Sequence, residues 1–515
     1  MKYPIGVQGF EKLRTDGYVY VDKTEYLYRM VNEGNCFFLS RPRRFGKSLF
    51  LSTLHNYFEG KKELFEGTYV GEHEAQWLKY PVLKLDLNAE NYTDAEKLEG
   101  VINDFLSTQE ELYGTRPSET SLGLRFQGVI RRACEITGRR VVILVDEYDK
   151  PLLQAIGRPD IQDAMRGVLK GFYGALKSMD EYIKFAFLTG VTKFGKVSVF
   201  SDLNNLRDIS MSPQYSGICG ISEEELIGTF HDSIDDLAAY NGMTYDECLA
   251  TLRRNYDGYH FEENSCGMYN PFSVLNTFAN NKFGSYWFET GTPTYLVNLL
   301  QRHEWNLRDM ETSEVSPDIL NSIDSENSNP IPVIYQSGYL TIKEYNKRFD
   351  EYVLGFPNKE VEEGFVKYLA PYYLSREKRK TVFDVRNFVK DVERGKAESF
   401  CQRLKALFSD TPYELVRDLE NHYQNIVWVV FKMLGFYTQA EYHTSQGRID
   451  LVIKAPGYTY VMEFKLDGTA EEALTQIKSK DYSLPFSKDD ATVYLIGMNF
   501  SHETRNIERY VIEQM

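Results

Sequence analysis

Residues Cys36-Phe37-Phe38-Leu39-Ser40-Arg41-Pro42-Arg43-Arg44-Phe45-Gly46-Lys47-Ser48 decide how the first half of this chain reads. Cys36 to Leu39 is a short apolar run of the kind that makes a buried strand, and Leu49 to Phe58 has helical character. A loop between a strand and a helix, ending Gly-Lys-Ser, suits a phosphate. Backbone N–H groups and the helix N-terminus would cradle the anion. Lys47 would reach the β- and γ-phosphates, and the Ser48 hydroxyl would bind Mg2+. The loop departs from G-x-x-x-x-G-K-[ST] at one place, where Arg41 replaces the first glycine. A lone Gly-Lys-Ser often arises by chance, so the reading needs a second half.

Further along, Val82 to Leu87, Val141 to Val145 and Phe185 to Leu188 are apolar runs. Segments of helical character, Asp94 to Leu112 and Ile161 to Met179 among them, lie between these runs. Such alternation predicts a parallel sheet covered on both faces, with Ile209 to Ser212 as a fifth strand. The Val141 run ends in Asp146-Glu147, the arrangement called Walker B. An Asp at a strand tip positions Mg2+, and a following Glu can polarise the attacking water. The fourth run ends in Thr189, which can sense the γ-phosphate. The expected nucleotide-side set is therefore Arg41, Arg44, Phe45, Gly46, Lys47, Ser48, Asp146 and Thr189, with Glu147 as the catalytic carboxylate that polarises water.

A chain of 515 residues exceeds one hydrophobic core, since cores stop growing at roughly 250–300 residues. The 42% hydrophobic fraction fits packed domains rather than disorder. A net charge of −16 argues against a protein that coats nucleic acid with a global basic surface. It leaves room for a local basic groove, and clusters occur at Arg41/Arg43/Arg44, Arg131/Arg132 with Arg139/Arg140, and Arg376/Lys378/Arg379/Lys380. Most such runs are solvated faces. The six cysteines form no C-x-x-C pair, which disfavours a disulfide framework or a cysteine zinc site. There is neither a signal-like apolar start nor a run of about 18 apolar residues. The expectation is a cytoplasmic chain with no membrane contact.

From about Ser222 the pattern turns helical, and Ser313 to Pro332 is a polar connector. Tyr339 to Tyr345 and Tyr352 to Phe356 flank a charged turn, which suits either the wing of a winged helix or a plain hairpin. A basic stretch at Leu374 to Lys380 marks another shift. Boundaries near 220 and 375 give three segments, 1–220, 221–375 and 376–515.

In the last segment, Gly447 to Lys454 and Tyr458 to Leu466 are strand-like runs around Ala455-Pro456-Gly457. A turn centred on Pro456-Gly457 sets Asp450 opposite Glu463. Like charges facing one another across a hairpin destabilise it, and a divalent cation compensates. Lys465 lies two residues beyond Glu463, on the same strand face. Two carboxylates and an ammonium on one face make a Mg2+ site with a group to orient water. Glu-x-Lys alone would read as an ordinary surface ladder. Asp450 in register is what changes that.

Two resemblances follow from these motifs. Tyr20-Val21-Asp22-Lys23-Thr24, the Arg41 to Ser48 loop, Asp146-Glu147-Tyr148-Asp149-Lys150-Pro151 and Thr189 to Asn205 together resemble the AAA-ATPase-like family. That family carries the same arginine-for-glycine loop, and the resemblance implies ATP binding at Lys47, Ser48 and Asp146. Asp450…Glu463-x-Lys465 resembles the PD-(D/E)XK nuclease superfamily, whose core is αβββαβ, with Ala491 to Ile496 as the last strand. By that resemblance Glu420, on a preceding helix, is a further metal ligand. Gln476, on a following helix, orients the site or approaches the nucleic-acid backbone. The fold expected is α/β: a P-loop ATPase with a parallel sheet, a central helical or winged-helix-like region, and a restriction-endonuclease-like α/β domain. ATP and Mg2+ are the expected cofactors and nucleic acid, DNA by analogy, the expected partner; self-association is left open. The rival readings are a nucleotide-dependent switch with a silent nuclease fold, and an ATPase acting on protein assembly.

Overall fold

The structure is a computed structural model of the chain. It describes residues 1–193, 205–289, 296, 300, 305–310, 313–321, 329–373, 378–409, 419–435, 439–444, 449–480 and 491–515 except 502 and 505. It divides into two compact units, Met1–Leu299 with Met310–Val361, and Leu300–Asp309 with Glu362–Met515.

The first unit is built on β1 (Cys36–Ser40), β2 (Val82–Asp86), β3 (Val141–Asp146), β4 (Ile183–Gly190) and β5 (Arg207–Asp208). They form one all-parallel sheet in the order β2-β3-β4-β1-β5. Every residue of β1 and β3 is buried, which is why both read as unbroken apolar runs rather than alternating ones. The fifth strand lies just before the stretch expected for it. The helix Ala95–Tyr113 starts at Asp94, whose side chain accepts from the Lys97 N–H, and it buries Leu98, Ile102 and Leu106 at four-residue spacing. With helices Leu122–Thr137 and Pro159–Ser178 it builds the main core on the sheet. Each fully buried Leu or Ile there contributes about 1.5–3 kcal/mol.

The break expected near residue 220 falls inside this unit. Helices Glu223–Asn241, Tyr245–Tyr256 and Pro271–Asn280 form a second core around Phe230, Ile234, Leu252 and Val274. Tyr3, Val19 and Val21 from the chain's start pack against it. The short strands β6 (Ile221–Ser222) and β7 (Met268–Tyr269) pair beside it. A three-stranded antiparallel sheet, β8 (Glu314–Val315), β9 (Thr341–Asn346) and β10 (Glu351–Gly355), contains the expected charged hairpin.

The second unit carries the helix Leu419–Gly435, then β11 (Gln439–Thr444), β12 (Ile449–Ala455), β13 (Tyr458–Leu466), the helix Ala470–Ser479, β14 (Thr492–Ser501) and β15 (Asn506–Gln514). The sheet order is β11-β12-β13-β14-β15, antiparallel except for β13 with β14. This is the αβββαβ order with one further strand. The helix Ala470–Ser479 is the crossover that the parallel β13–β14 pair requires. Among the described residues no helix is long and apolar enough to cross a membrane.

Candidate functional site

The loop after β1 enters its helix through Gly46 at φ 99°, a left-handed conformation that glycine adopts without strain. The helix Lys47–Phe58 therefore begins with no side chain capping its first N–H groups, which leaves them available to an anion. Lys47 is buried. Its Nζ donates to the carbonyls of Arg41 (3.0 Å) and Pro42 (3.2 Å) and lies 3.5 Å from Glu147 Oε1. The ammonium is thus held over the loop, between the helix start and the tip of β3.

At that tip Asp146 is buried and bonded by the Ser48 side chain. Burial first, then the charge of Glu147, pushes its carboxyl up to about 6, against the opposing pull of Ser48 and Lys47. Asp146 Oδ1 and Thr189 Oγ1 are buried with no hydrogen-bond partner among the described residues. They come from β3 and β4, adjacent strands whose carboxyl ends meet here. Orphaned oxygens beside a bound hydroxyl fit a divalent cation and its phosphate ligands. Asp149 braces the turn: its carboxylate accepts from Val191 N (3.2 Å), Thr192 N (2.6 Å) and Thr192 Oγ1 (2.7 Å), tying the tip of β3 to the exit of β4.

A cavity of about 550 Å³ opens at this end of the sheet. Gly46, Lys47, Ser48, Arg44 and Glu147 line its polar side, and Val7, Leu49, Pro271 and Phe272 belong to its apolar wall. Arg44 sits at φ 66° with its guanidinium 5.1 Å from the Phe272 ring. Arg41 and Phe45 are placed differently. The Arg41 guanidinium is buried, donating to the carbonyls of Ser40 (2.9 Å), Ser210 (2.6 Å) and Tyr215 (3.2 Å) and lying 3.9 Å from the Phe261 ring. Burial lowers its pKa to about 10. The Phe45 ring packs edge-on against Tyr259 and Phe261.

In the second unit the hairpin turns at Pro456-Gly457, and Asp450 pairs with Glu463 in the register expected from the sequence. Glu463 is 0% exposed, and neither carboxylate oxygen has a hydrogen-bond partner among the described residues. Lys465 Nζ lies 3.7 Å from Glu463 Oε1 and donates to Gln476 Oε1 at 2.5 Å. Gly497 faces Glu463 across the sheet on β14, where a Cβ would collide with the Ala470 carbonyl and the Leu474 amide. That close approach lets the helix carrying Gln476 reach the lysine. A buried, unbonded carboxylate with an acid opposite it fits a divalent cation. The side chains of Asp450 and Glu420 lie outside the described residues, as does the basic cluster at Arg376 and the 194–204 part of the Thr189 to Asn205 motif.

Sequence reasoning missed several residues here. Pro4 to Gln8, Asn88 and Lys150 line the first cavity. Only Lys150 carried a signal, standing three residues after Glu147; the others converge from distant segments. In the Tyr20 to Thr24 motif, Lys23 bonds Glu225 (2.6 Å) and the Gly217 carbonyl, while Asp22 accepts from Thr24 N and Tyr69 N. Those are fastenings. The register also sets His443 opposite Asp450 on β11.

Residues 4–200 match the family described as "Predicted AAA-ATPase", and residues 418–510 match the PD-(D/E)XK nuclease superfamily. The whole chain also aligns with the "Uncharacterized protein in vnfD 5'region" of Azotobacter chroococcum mcd 1, 35% identical over 525 residues and covering 99% of that protein. The chain belongs to the AAA-ATPase-like family with a C-terminal PD-(D/E)XK nuclease superfamily domain.

Proposed function

We propose that this chain is a cytoplasmic ATPase whose nucleotide state governs Mg2+-dependent cleavage of nucleic acid, DNA for preference. The observation that carries the nuclease half is the fully buried Glu463 carboxylate, without a hydrogen-bond partner among the described residues at either oxygen, with Asp450 opposite in register and Lys465 on its own strand. Asp450 and Glu463, with Glu420, would hold the metal, which supplies charge stabilisation at the scissile phosphate. Lys465, positioned by the Gln476 carbonyl oxygen, orients the attacking water and offsets charge in the transition state. In the first unit Ser48 and Asp146 would hold Mg2+, Thr189 would serve the terminal phosphate, and Glu147 would polarise water. Lys47 exchanges its bonds to the Arg41 and Pro42 carbonyls for phosphate oxygens. The role we assign to Arg41 is structural: its three carbonyl bonds hold the start of the loop against residues 210 and 215.

Full-length protein incubated with single- and double-stranded DNA and RNA, with Mg2+ or Mn2+ and with or without ATP, tests this. Cleavage should require metal, change with ATP, and disappear in Lys465→Ala. Binding without cleavage under every metal condition would instead leave a nucleotide-dependent switch with a silent nuclease fold.

A further inference from the structure

Four cations line the phosphate cavity, Arg43, Arg44, Lys47 and Lys150, and Glu147 is the acid among the lining residues. Three of the four belong to the loop or its helix start. Lys150 comes from elsewhere, as the first residue of the short helix Lys150–Gln154. Its backbone N–H donates to the Glu147 carbonyl at 3.1 Å, so it rides on the turn that carries the residue assigned to the water. Its ammonium is held by Asn88, 2.8 Å from the carbonyl oxygen and 3.0 Å from Oδ1. Asn88 follows β2 in the turn Leu87–Ala89, and β2 and β3 run in register through Asp86 and Asp146.

The sheet order therefore separates the two lysines. Lys47 comes from the loop after β1, whereas Lys150 stands on the turn after β3 and is tied to Asn88 after β2, so β4 lies between their parent strands. Their charge balance differs too. Lys47 has Glu147 at 3.5 Å, whereas both acceptors of Lys150 are neutral, and among the described residues no carboxylate forms an ion pair with it. An ammonium fixed by neutral oxygens at a cavity wall keeps its charge for an incoming anion, and a charge-assisted bond to phosphate is the strong way to use it.

We propose that Lys150 contacts the terminal phosphate of a bound nucleoside triphosphate, from the side opposite Lys47, and makes the site prefer triphosphate over diphosphate, with Asn88 as its positioning residue. This rests on the nucleotide reading above and adds the part of the ligand that the loop alone does not distinguish. A diphosphate lacks the terminal phosphate assigned to Lys150, so loss of the Lys150 charge should fall on the triphosphate.

The test is equilibrium binding of Mg·ATP and Mg·ADP to the full-length chain and three variants. Lys150→Gln keeps a donor for Asn88 and removes the charge; it should weaken ATP by about 10- to 100-fold. ADP affinity should stay within about threefold, a difference below 1 kcal/mol. Lys150→Arg should retain most of the ATP preference. Asn88→Asp leaves Lys150 in place but gives it a carboxylate partner, and should lower the ATP-over-ADP ratio in the same direction even if Lys150→Gln proves unstable. Equal loss of both nucleotides, or no change in their ratio, in Lys150→Gln or Asn88→Asp would overturn the proposal while leaving the nucleotide site standing. A wild-type chain that binds neither nucleotide would overturn both.

Discussion

The two candidate sites each hold a lysine beside a glutamate at nearly the same distance, 3.5 Å for Lys47–Glu147 and 3.7 Å for Lys465–Glu463. Around that shared pair the charge balance is opposite. The cavity of the first unit is lined by four cations and one acid. In the second unit a fully buried carboxylate, with no hydrogen-bond partner among the described residues, is paired in register with another acid. The lining of the first cavity carries more cations than acids, with the Asp146 carboxylate behind it for a metal, while the second site sets two acids in register beside one ammonium. A polyphosphate satisfies one and a divalent cation the other, so removing the same kind of group should have different consequences in each.

The largest effect should come from the first site. Lys47→Ala removes the cation that the loop fold has already placed beside its carbonyls, and Mg·ATP affinity should fall by about 100-fold or more. Metal binding in the second unit should be unaffected. Equilibrium titration of Mg·ATP checks this. Wild-type affinity in Lys47→Ala would mean that the loop lysine does not hold the phosphates.

Much of this was legible in the sequence because the deciding patterns are local. The apolar runs of β1 to β4, the Gly46-Lys47-Ser48 triplet and the Asp146-Glu147 tip each declare themselves within a few residues. The Pro456-Gly457 turn fixed the Asp450–Glu463 register because a two-residue turn leaves one pairing. What could not be read was set by long-range convergence. Arg41 stands at the loop's first position, yet its guanidinium is drawn inward by carbonyls some 170 residues away, at Ser210 and Tyr215. The cavity wall draws on Pro4 to Gln8, Asn88 and Pro271-Phe272, which no spacing connects. Tyr3, Val19 and Val21 pack on helices more than 200 residues further along, a contact that no local pattern announces.

The second effect isolates the other half of the comparison. Glu463→Gln keeps the shape and removes the buried charge that faces Asp450. Without metal it should stabilise the second unit by about 1 kcal/mol, because the partly exposed Lys465 ammonium at 3.7 Å offsets only part of the charge that Glu463 and the acid paired with it bring together. The wild-type protein should melt higher as Mg2+ or Mn2+ is added, by mass action on the folded state. The variant should lose that response. Thermal melts in chelator and in graded metal measure both. A wild-type transition indifferent to metal would mean that the second site is not short of a cation.

The smallest effect is one of pH, and it returns to the first site. Burial and the charge of Glu147 hold Asp146 at about 6, above the unfolded value of about 3.9. Mg·ATP binding needs the ionised form, so affinity should decline as pH falls from 7 to 5, by about tenfold over that span. The metal-free chain behaves in the reverse sense. Between about 4 and 6 the folded state carries a proton on Asp146 that the unfolded state lacks, so this group adds stability as pH falls through that window and withdraws it above 6. Ser48→Ala deletes a bond that lowers the Asp146 pKa, and should move the binding midpoint to higher pH. Asp146→Asn should bind weakly and without this pH dependence, which separates Asp146 from Asp149, whose carboxyl is also pushed up by burial and the charge of Glu147. If wild-type affinity is flat from pH 7 to 5, Asp146 does not hold the cation, and the contrast between an anion-seeking and a cation-seeking site loses its sharper edge.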